Sequence, residues 1–286
     1  MTQLNYKDRY WTSDDGLQLH YRDYPGDEQK TPIICIPGLT RNIRDFVHLG
    51  DWLDGKRRII MVDLRGRGES EYAKDSTSYN VKTYVGDIIS LMDENKIAKA
   101  VFFGTSLGGI VTMVIASRHP ARIAGAMIND IGPDVDQRGL DRIAEYLGQG
   151  RSFDTWAHAA RDMAVINKDI FPDFKLKDWI AHAKKLYGMN SSGRIKLDYD
   201  MKISDPFESK GGDNAALWRA LDSLQDVPTL ILRGALSDLF SLATAQKMLG
   251  RLNKAELVTI PRVGHAPTLE EPASLDAIAA LLQRIN

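Results

Sequence analysis

The chain has 286 residues, 43% of them hydrophobic and 26% charged, with a formal net charge of -1. Those proportions belong to a globular protein with room for one large domain, or for one domain carrying an insertion. A charge this close to zero supplies no field that would recruit nucleic acid or an anionic membrane, so neither is expected as a partner.

Cys35 is the only cysteine, which excludes an internal disulfide, and its neighbours Ile33, Ile34 and Ile36 point to a buried, inert thiol. The start, Met1-Thr2-Gln3-Leu4-Asn5-Tyr6-Lys7-Asp8-Arg9, lacks the apolar core of a secretion signal, and no apolar run is long enough to span a bilayer. A cytoplasmic location is the expectation.

In chain order, residues 9–12 and 17–24 alternate in polarity around Asp14-Asp15-Gly16 and predict a hairpin. Residues 31–36 and 58–62 are short β-rich runs, each ending near a Gly or Pro turn. The 3.6 period predicts a helix over 79–95. A strand follows at 100–103, a helix at 107–119 stopped by Pro120, and a strand at 123–128 with Asn129-Asp130 at its end. From about 133 to 224 no strand is evident. Helical stretches are predicted there at 140–148, 155–166, 177–187 and 214–224, among the aromatics Phe153, Trp156, Phe171, Phe174, Trp179, Tyr187, Phe207 and Trp218. Strand and helix alternation returns at 229–233, 243–252, 255–260 and 273–285. Strands alternating with helices imply a mostly parallel sheet covered on both faces. The expected organisation is therefore an α/β core of residues 1–132 and 225–286, interrupted by a helical cap, 133–224, over the strand ends where open α/β sheets bind ligands. Most of the cap aromatics are expected to pack its own small core; Trp156, Trp179 and Trp218 are the candidates for contact with substrate.

Gly104-Thr105-Ser106-Leu107-Gly108 lies between an apolar strand and an apolar helix. A serine hydroxyl is a poor nucleophile until a sharp turn lifts it from the sheet and a base takes its proton, and only residues without bulk at Gly104 and Gly108 allow so tight a turn. The Leu107 N–H, free at a helix N-terminus, is positioned to hold an oxyanion. The pentapeptide alone equally describes an ordinary glycine-rich turn, so other loops must decide. His265 follows the last predicted strand in Val263-Gly264-His265-Ala266-Pro267, and histidine, titrating near neutrality, serves as base and then acid. The carboxylate that orients it is expected to be Asp238, the acid of the loop Arg233-Gly234-Ala235-Leu236-Ser237-Asp238, which gives the order Ser106, Asp238, His265. Asp130, at the end of the strand after the serine, is the alternative acid. A second oxyanion donor, the Leu39 N–H, is expected from Pro37-Gly38-Leu39. The loop Asp63-Leu64-Arg65-Gly66-Arg67-Gly68-Glu69-Ser70 lacks nucleotide-binding spacing, and its charges are expected to tie it into the scaffold around the site. His48, His119, His158 and His182 form no ligand pattern, so neither a metal nor an organic cofactor is expected.

On Pro37-Gly38-Leu39, the 63–70 loop, Gly104-Thr105-Ser106-Leu107-Gly108-Gly109, and Gly264-His265-Ala266-Pro267 with Glu270 and Pro272, the chain resembles the capped serine hydrolases of the α/β-hydrolase fold superfamily, the esterase and enol-lactonase sort. The resemblance implies an eight-stranded sheet and a triad of Ser106, Asp238 and His265. Two departures stand out. Pro37 replaces a histidine common in relatives, and Asp238 is four residues after Gly234 where Gly-x-x-Asp is common. Serine at the nucleophile position argues against haloalkane dehalogenases and epoxide hydrolases, which by the same resemblance use aspartate. The expected reaction is hydrolysis of a small-molecule carboxylic ester through an acyl-enzyme. The alternatives are lactone opening, or a ligand receptor or lyase on the same fold.

Overall fold

A computed structural model describes residues 6–206 and 214–286. Phe207 and the first five residues of the N-terminal segment lie outside the described residues. Strands β1 (Lys7–Thr12) and β2 (Gln18–Tyr24) make the expected hairpin, with Trp11 opposite Leu19. There follow β3 (Ile33–Ile36), α1 (Val47–Leu53), β4 (Ile59–Val62), α2 (Val81–Glu94), β5 (Ala100–Thr105), α3 (Leu107–Arg118) and β6 (Ile123–Asn129). The middle of the chain holds α4 (Gln137–Tyr146), β7 (Ser152–Phe153), α5 (Trp156–Asn167), α6 (Leu176–Leu186), β8 (Tyr187–Met189), β9 (Ile195–Leu197) and α7 (Asn214–Asp222). Strand β10 (Thr229–Gly234), α8 (Leu242–Leu249), β11 (Ala255–Ile260) and α9 (Pro272–Gln283) complete it.

Eight strands form one sheet in the order β1-β2-β4-β3-β5-β6-β10-β11. The β1–β2 and β2–β4 pairs are antiparallel and the remainder parallel. A parallel strand covered on both faces is apolar along nearly its whole length; β3 and β4 are so throughout, and the polar residues of β6 and β10 stand near the strand ends, at Asn129, Thr229 and Arg233. Ile34, Ile36, Ile60, Val62 and Phe102 pack on one face with α2, α3, α7 and α8, while Ile33, Cys35, Ile59, Met61, Val101 and Phe103 pack on the other with α1 and α9. Each such side chain removed from water contributes roughly 1.5–3 kcal/mol. Cys35 is buried as expected, and burial pushes its thiol well above the ordinary cysteine range. The chain leaves β3 toward β4 on one side and returns to β5 on the other, so the β3 and β5 carboxyl ends flank the crevice where such sheets bind ligands.

One helix and a small three-stranded sheet differ from the sequence expectation. Helix α1 is too short for its period to register, and β7, β9 and β8 form a small antiparallel sheet whose two- and three-residue strands carry no alternation signal. Ala159, Ala160, Met163, Phe171, Trp179 and Tyr187 build a separate core around α5 and α6. Helix α7, by contrast, packs on α3 and sends Trp218 and Leu221 into the main core. The segment is tied to the loops at the strand ends: Gly264 N–H donates to the Ile170 carbonyl at 2.7 Å, Asp200 N–H to Gly66 at 2.8 Å, and Arg44 pairs with Asp198 at 2.5 Å. Among the described residues, no helix is long and apolar enough to cross a membrane.

Candidate active site

Ser106 sits at the joint between β5 and α3 with φ 51° and ψ -117°. A non-glycine residue held there stores roughly 1–3 kcal/mol of strain, which the surroundings must over-determine. They do so by close backbone packing. A Cβ on Gly104 would overlap the Gly108 carbonyl, and one on Gly108 would overlap the Ile36 carbonyl. The Ser106 N–H is anchored to the Asn129 carbonyl at 2.9 Å.

Ser106 Oγ lies 3.0 Å from His265 Nε2, and His265 Nδ1 lies 2.8 Å from Asp130 Oδ2. The carboxylate accepts the Nδ1 proton, which leaves Nε2 free to accept from the serine. Asp130 is buried at the left-handed turn that ends β6, with φ 57°. Its Oδ1 also accepts from the Gly234 N–H at 2.7 Å, and its Oδ2 from the Ser237 hydroxyl at 2.6 Å. The carboxylate is thus locked by three donors.

Asp238, the acid expected from the sequence, does not reach His265. It is held by Arg142 of α4 through a two-pronged contact, Nε to Oδ2 at 2.5 Å and Nη2 to Oδ1 at 3.0 Å. Burial works to raise its pKa, but the bond and charge of Arg142 outweigh it and hold the carboxyl below its usual range. The loop after β10 still serves the histidine, through Ser237. That serine stands three residues after Gly234, where relatives commonly carry the acid, and its hydroxyl reaches the carboxylate that β6 supplies. The sequence reading missed Ser237, although the displaced Asp238 was the available signal.

Gly38 and Leu39 line the cavity beside Ser106, and a Cβ on Gly38 would lie 3.6 Å from the serine Cβ. Leu107 is the first residue of α3, where the helix leaves its N–H unused. The 63–70 loop ties into this region, as its charges suggested. Arg67 is buried; it donates from Nε to the Leu39 carbonyl at 2.8 Å and from Nη1 to the Arg65 carbonyl at 2.6 Å and the Tyr84 hydroxyl at 3.0 Å. Asp63 Oδ1 accepts from the Ile43 N–H at 2.9 Å. Asn129 Nδ2 bonds both Thr105 Oγ1 at 3.1 Å and the Pro267 carbonyl at 3.0 Å, linking the serine strand to the histidine loop.

Above the serine lies a cavity of about 160 Å³ between the strand-end loops and α4, α5 and α6. Trp156, Trp179 and Trp218, the expected substrate contacts, do not line it. Trp179 packs edge-on against Phe171 and Phe174, and Trp156 lies against the same cluster. Trp218 faces the main core and donates its indole N–H to Asp134 at 2.8 Å. Their apolar area is consumed in holding helices together. Instead the wall is apolar at Ile143, Met163 and Ile166 and cationic at Arg41, Arg142 and Lys185. His182, also in the wall, is pushed down to about 3 by burial and then by the Arg41 charge. Among the described residues no cluster of three or more His, Cys, Asp or Glu side chains forms a metal-binding group.

Comparison with known proteins agrees with this architecture. A family model described as alpha/beta hydrolase fold matches residues 31–272. The crystal structure of an alpha/beta hydrolase from Novosphingobium aromaticivorans is 49% identical, with a TM-score of 0.94 over 98% of this chain and 99% of that one. A 3-hydroxybutyrate-oligomer hydrolase of Cupriavidus necator is 31% identical over 267 residues, 90% of each chain. Epoxide hydrolase B of Mycobacterium tuberculosis is 28% identical over 214 residues, 68% of this chain and 58% of that one.

Proposed function

The chain belongs to the alpha/beta hydrolase fold family, and on that premise we propose that it is a serine hydrolase cleaving carboxylic esters of small molecules through an acyl-enzyme. The observation that carries this reading is His265 standing between Ser106 Oγ and Asp130 Oδ2, at 3.0 and 2.8 Å.

Ser106 Oγ attacks the ester carbonyl carbon while His265 Nε2 takes the hydroxyl proton. The developing imidazolium is stabilised by Asp130, and the oxyanion by the Leu39 and Leu107 N–H groups. Collapse of the tetrahedral adduct breaks the carbon–oxygen bond to the alcohol, which leaves with the proton from Nε2. A water then attacks the acyl-serine and gives its proton to His265. The second adduct collapses to free the acid, and Ser106 recovers its proton from Nε2. A lactone follows the same steps. The serine argues against an epoxide-opening role like that of the mycobacterial relative, because the epoxide hydrolases of this fold use aspartate at that position. In this reading the cap expected over 133–224 lies over the strand ends through α4, α5 and α6, while its last helix, α7, packs on α3; the small cavity beneath it suits a short substrate rather than a polymer chain. The Cupriavidus relative makes short hydroxy-acid esters the first substrates to try.

The test is turnover of p-nitrophenyl acetate and of the linear 3-hydroxybutyrate dimer, expected to fall roughly 10³-fold or more in Ser106→Ala. A folded wild-type protein that cleaves none of a panel of esters and lactones would overturn the reading.

A further inference from the structure

The cavity wall is electrically lopsided. Arg41, Arg142, Arg151 and Lys185 line it, and Asp45 is the lone acid among the described lining residues. The partners of three of these cations, Asp238, Asp162 and Glu270, stand behind them and outside the wall. Two of the four are tied to loops that adjoin the serine and the carboxylate of the histidine. Arg41 belongs to the loop that follows β3, and a Cβ on Gly38 would lie 3.3 Å from its Cγ. Arg142 is held by the loop that also supplies Ser237 to Asp130.

Both arginines are fixed in the same way. Arg41 gives Nε and Nη2 to Asp45 at 2.8 and 2.5 Å, and Arg142 gives Nε and Nη2 to Asp238 at 2.5 and 3.0 Å. A guanidinium carries five N–H donors in a rigid fork, so a carboxylate on the Nε–Nη2 edge orients the group and leaves the Nη1 side out of the pairing. Both guanidinium groups line one cavity together with the phenol of Tyr146. Two oriented guanidinium groups and a phenol beside a wall of Ile143, Met163 and Ile166 match a short apolar unit ending in an anion.

We propose that Arg41 and Arg142 form a carboxylate-binding subsite with Tyr146, so that the enzyme selects esters carrying a free carboxylate on a short chain. This inference rests on the ester-hydrolase reading above and names the substrate feature the site selects. A carboxamide there accepts through its carbonyl oxygen alone, whereas a carboxylate accepts charge-assisted bonds through both oxygens, which are roughly twice as strong.

The experiment compares cleavage of the internal ester in the linear 3-hydroxybutyrate dimer with that in its terminal carboxamide, using p-nitrophenyl acetate as control. The acid is expected to have a kcat/KM at least about tenfold higher than the amide in the wild type, and the ratio is expected to collapse toward one in Arg142→Gln and Arg41→Gln. Because the ratio is taken within one preparation, partial unfolding of a variant cancels. Should a variant be inactive, inhibition of wild-type p-nitrophenyl acetate hydrolysis by 3-hydroxybutyrate, set against 3-hydroxybutyramide, decides: stronger inhibition by the acid supports the subsite, and equal inhibition overturns it. Wild-type protein that cleaves p-nitrophenyl acetate but treats acid and amide alike would overturn the subsite alone. Protein that cleaves no ester would overturn the ester reading and the subsite with it.

Discussion

Asp130 reaches His265 from the end of β6, its Oδ2 2.8 Å from Nδ1, while Asp238 on the neighbouring loop is bound to Arg142. The two carboxylates are therefore expected to separate in kinetics. Asp130→Asn removes the acceptor that selects the Nδ1–H tautomer and should lower kcat roughly 10³- to 10⁴-fold. Asp238→Asn releases Arg142 and should act mainly on KM for anionic esters, with kcat falling less than about tenfold, as for a lost positioning contact. Steady-state rates of the two variants check this, and the reverse ranking would return the role to Asp238.

Arg67 holds the loop of Gly38 and Leu39, the proposed second oxyanion donor, through the Leu39 carbonyl at 2.8 Å. Lysine cannot reproduce its three simultaneous contacts. Arg67→Lys is expected to lower kcat by roughly 10- to 100-fold, the scale of a displaced oxyanion donor, with little change in KM. A fall in KM-dependent binding with kcat intact would show instead that the loop holds its shape without the guanidinium.

Gly108 admits the Ile36 carbonyl into the space a Cβ would fill. Because the obstruction is backbone in the central strand, it has little freedom to move. Gly108→Ala should cost about 3 kcal/mol or more of stability, at or beyond the upper end for overpacking. Denaturant unfolding measures this; an unchanged midpoint would mean that α3 shifts freely on the sheet.

His182 is held neutral by burial and by the charges of Arg41 and Lys185, against the opposite pull of Asp45. Its folded pKa of about 3 lies below the ordinary 6.5. Between those values the unfolded chain binds the extra proton, so this group destabilises the fold progressively as pH falls from 6.5 toward 3 and has no effect above that window. Its share of the slope is at most about 1.4 kcal/mol per pH unit. In His182→Gln the thermal midpoint should fall less steeply over that range than in the wild type. Identical slopes would show that the imidazole accepts its proton in the folded state.

The alternation of apolar strands and amphipathic helices was legible because the inner strands are near-continuous apolar runs, a pattern that follows from burial on both faces. The serine turn and histidine loop were legible for a related reason: steric need fixes glycine at 104 and 108, and each loop follows a strand. The acid was harder. Asp130 directly follows β6 and Asp238 lies in the loop after β10, the neighbouring strand in the sheet, and linear order does not reveal which carboxylate an imidazole will face. The local sign was Ser237 occupying the position three after Gly234. The tryptophans misled because a large aromatic serves a helix interface as well as a ligand, and Trp156, Trp179 and Trp218 all serve interfaces. Arg41 and Arg142 carry no pattern in the sequence, since their convergence depends on how α4 lies over the strand ends.

The most direct test of Ser106 as the acyl-accepting nucleophile is intact-protein mass after exposure to a serine-directed fluorophosphonate, with the adduct located by peptide mapping. One adduct on Ser106 is expected, absent in Ser106→Ala, strongly slowed in Asp130→Asn and nearly unaffected in Asp238→Asn. No adduct on the folded wild-type protein, or an undiminished one in Ser106→Ala, would contradict it.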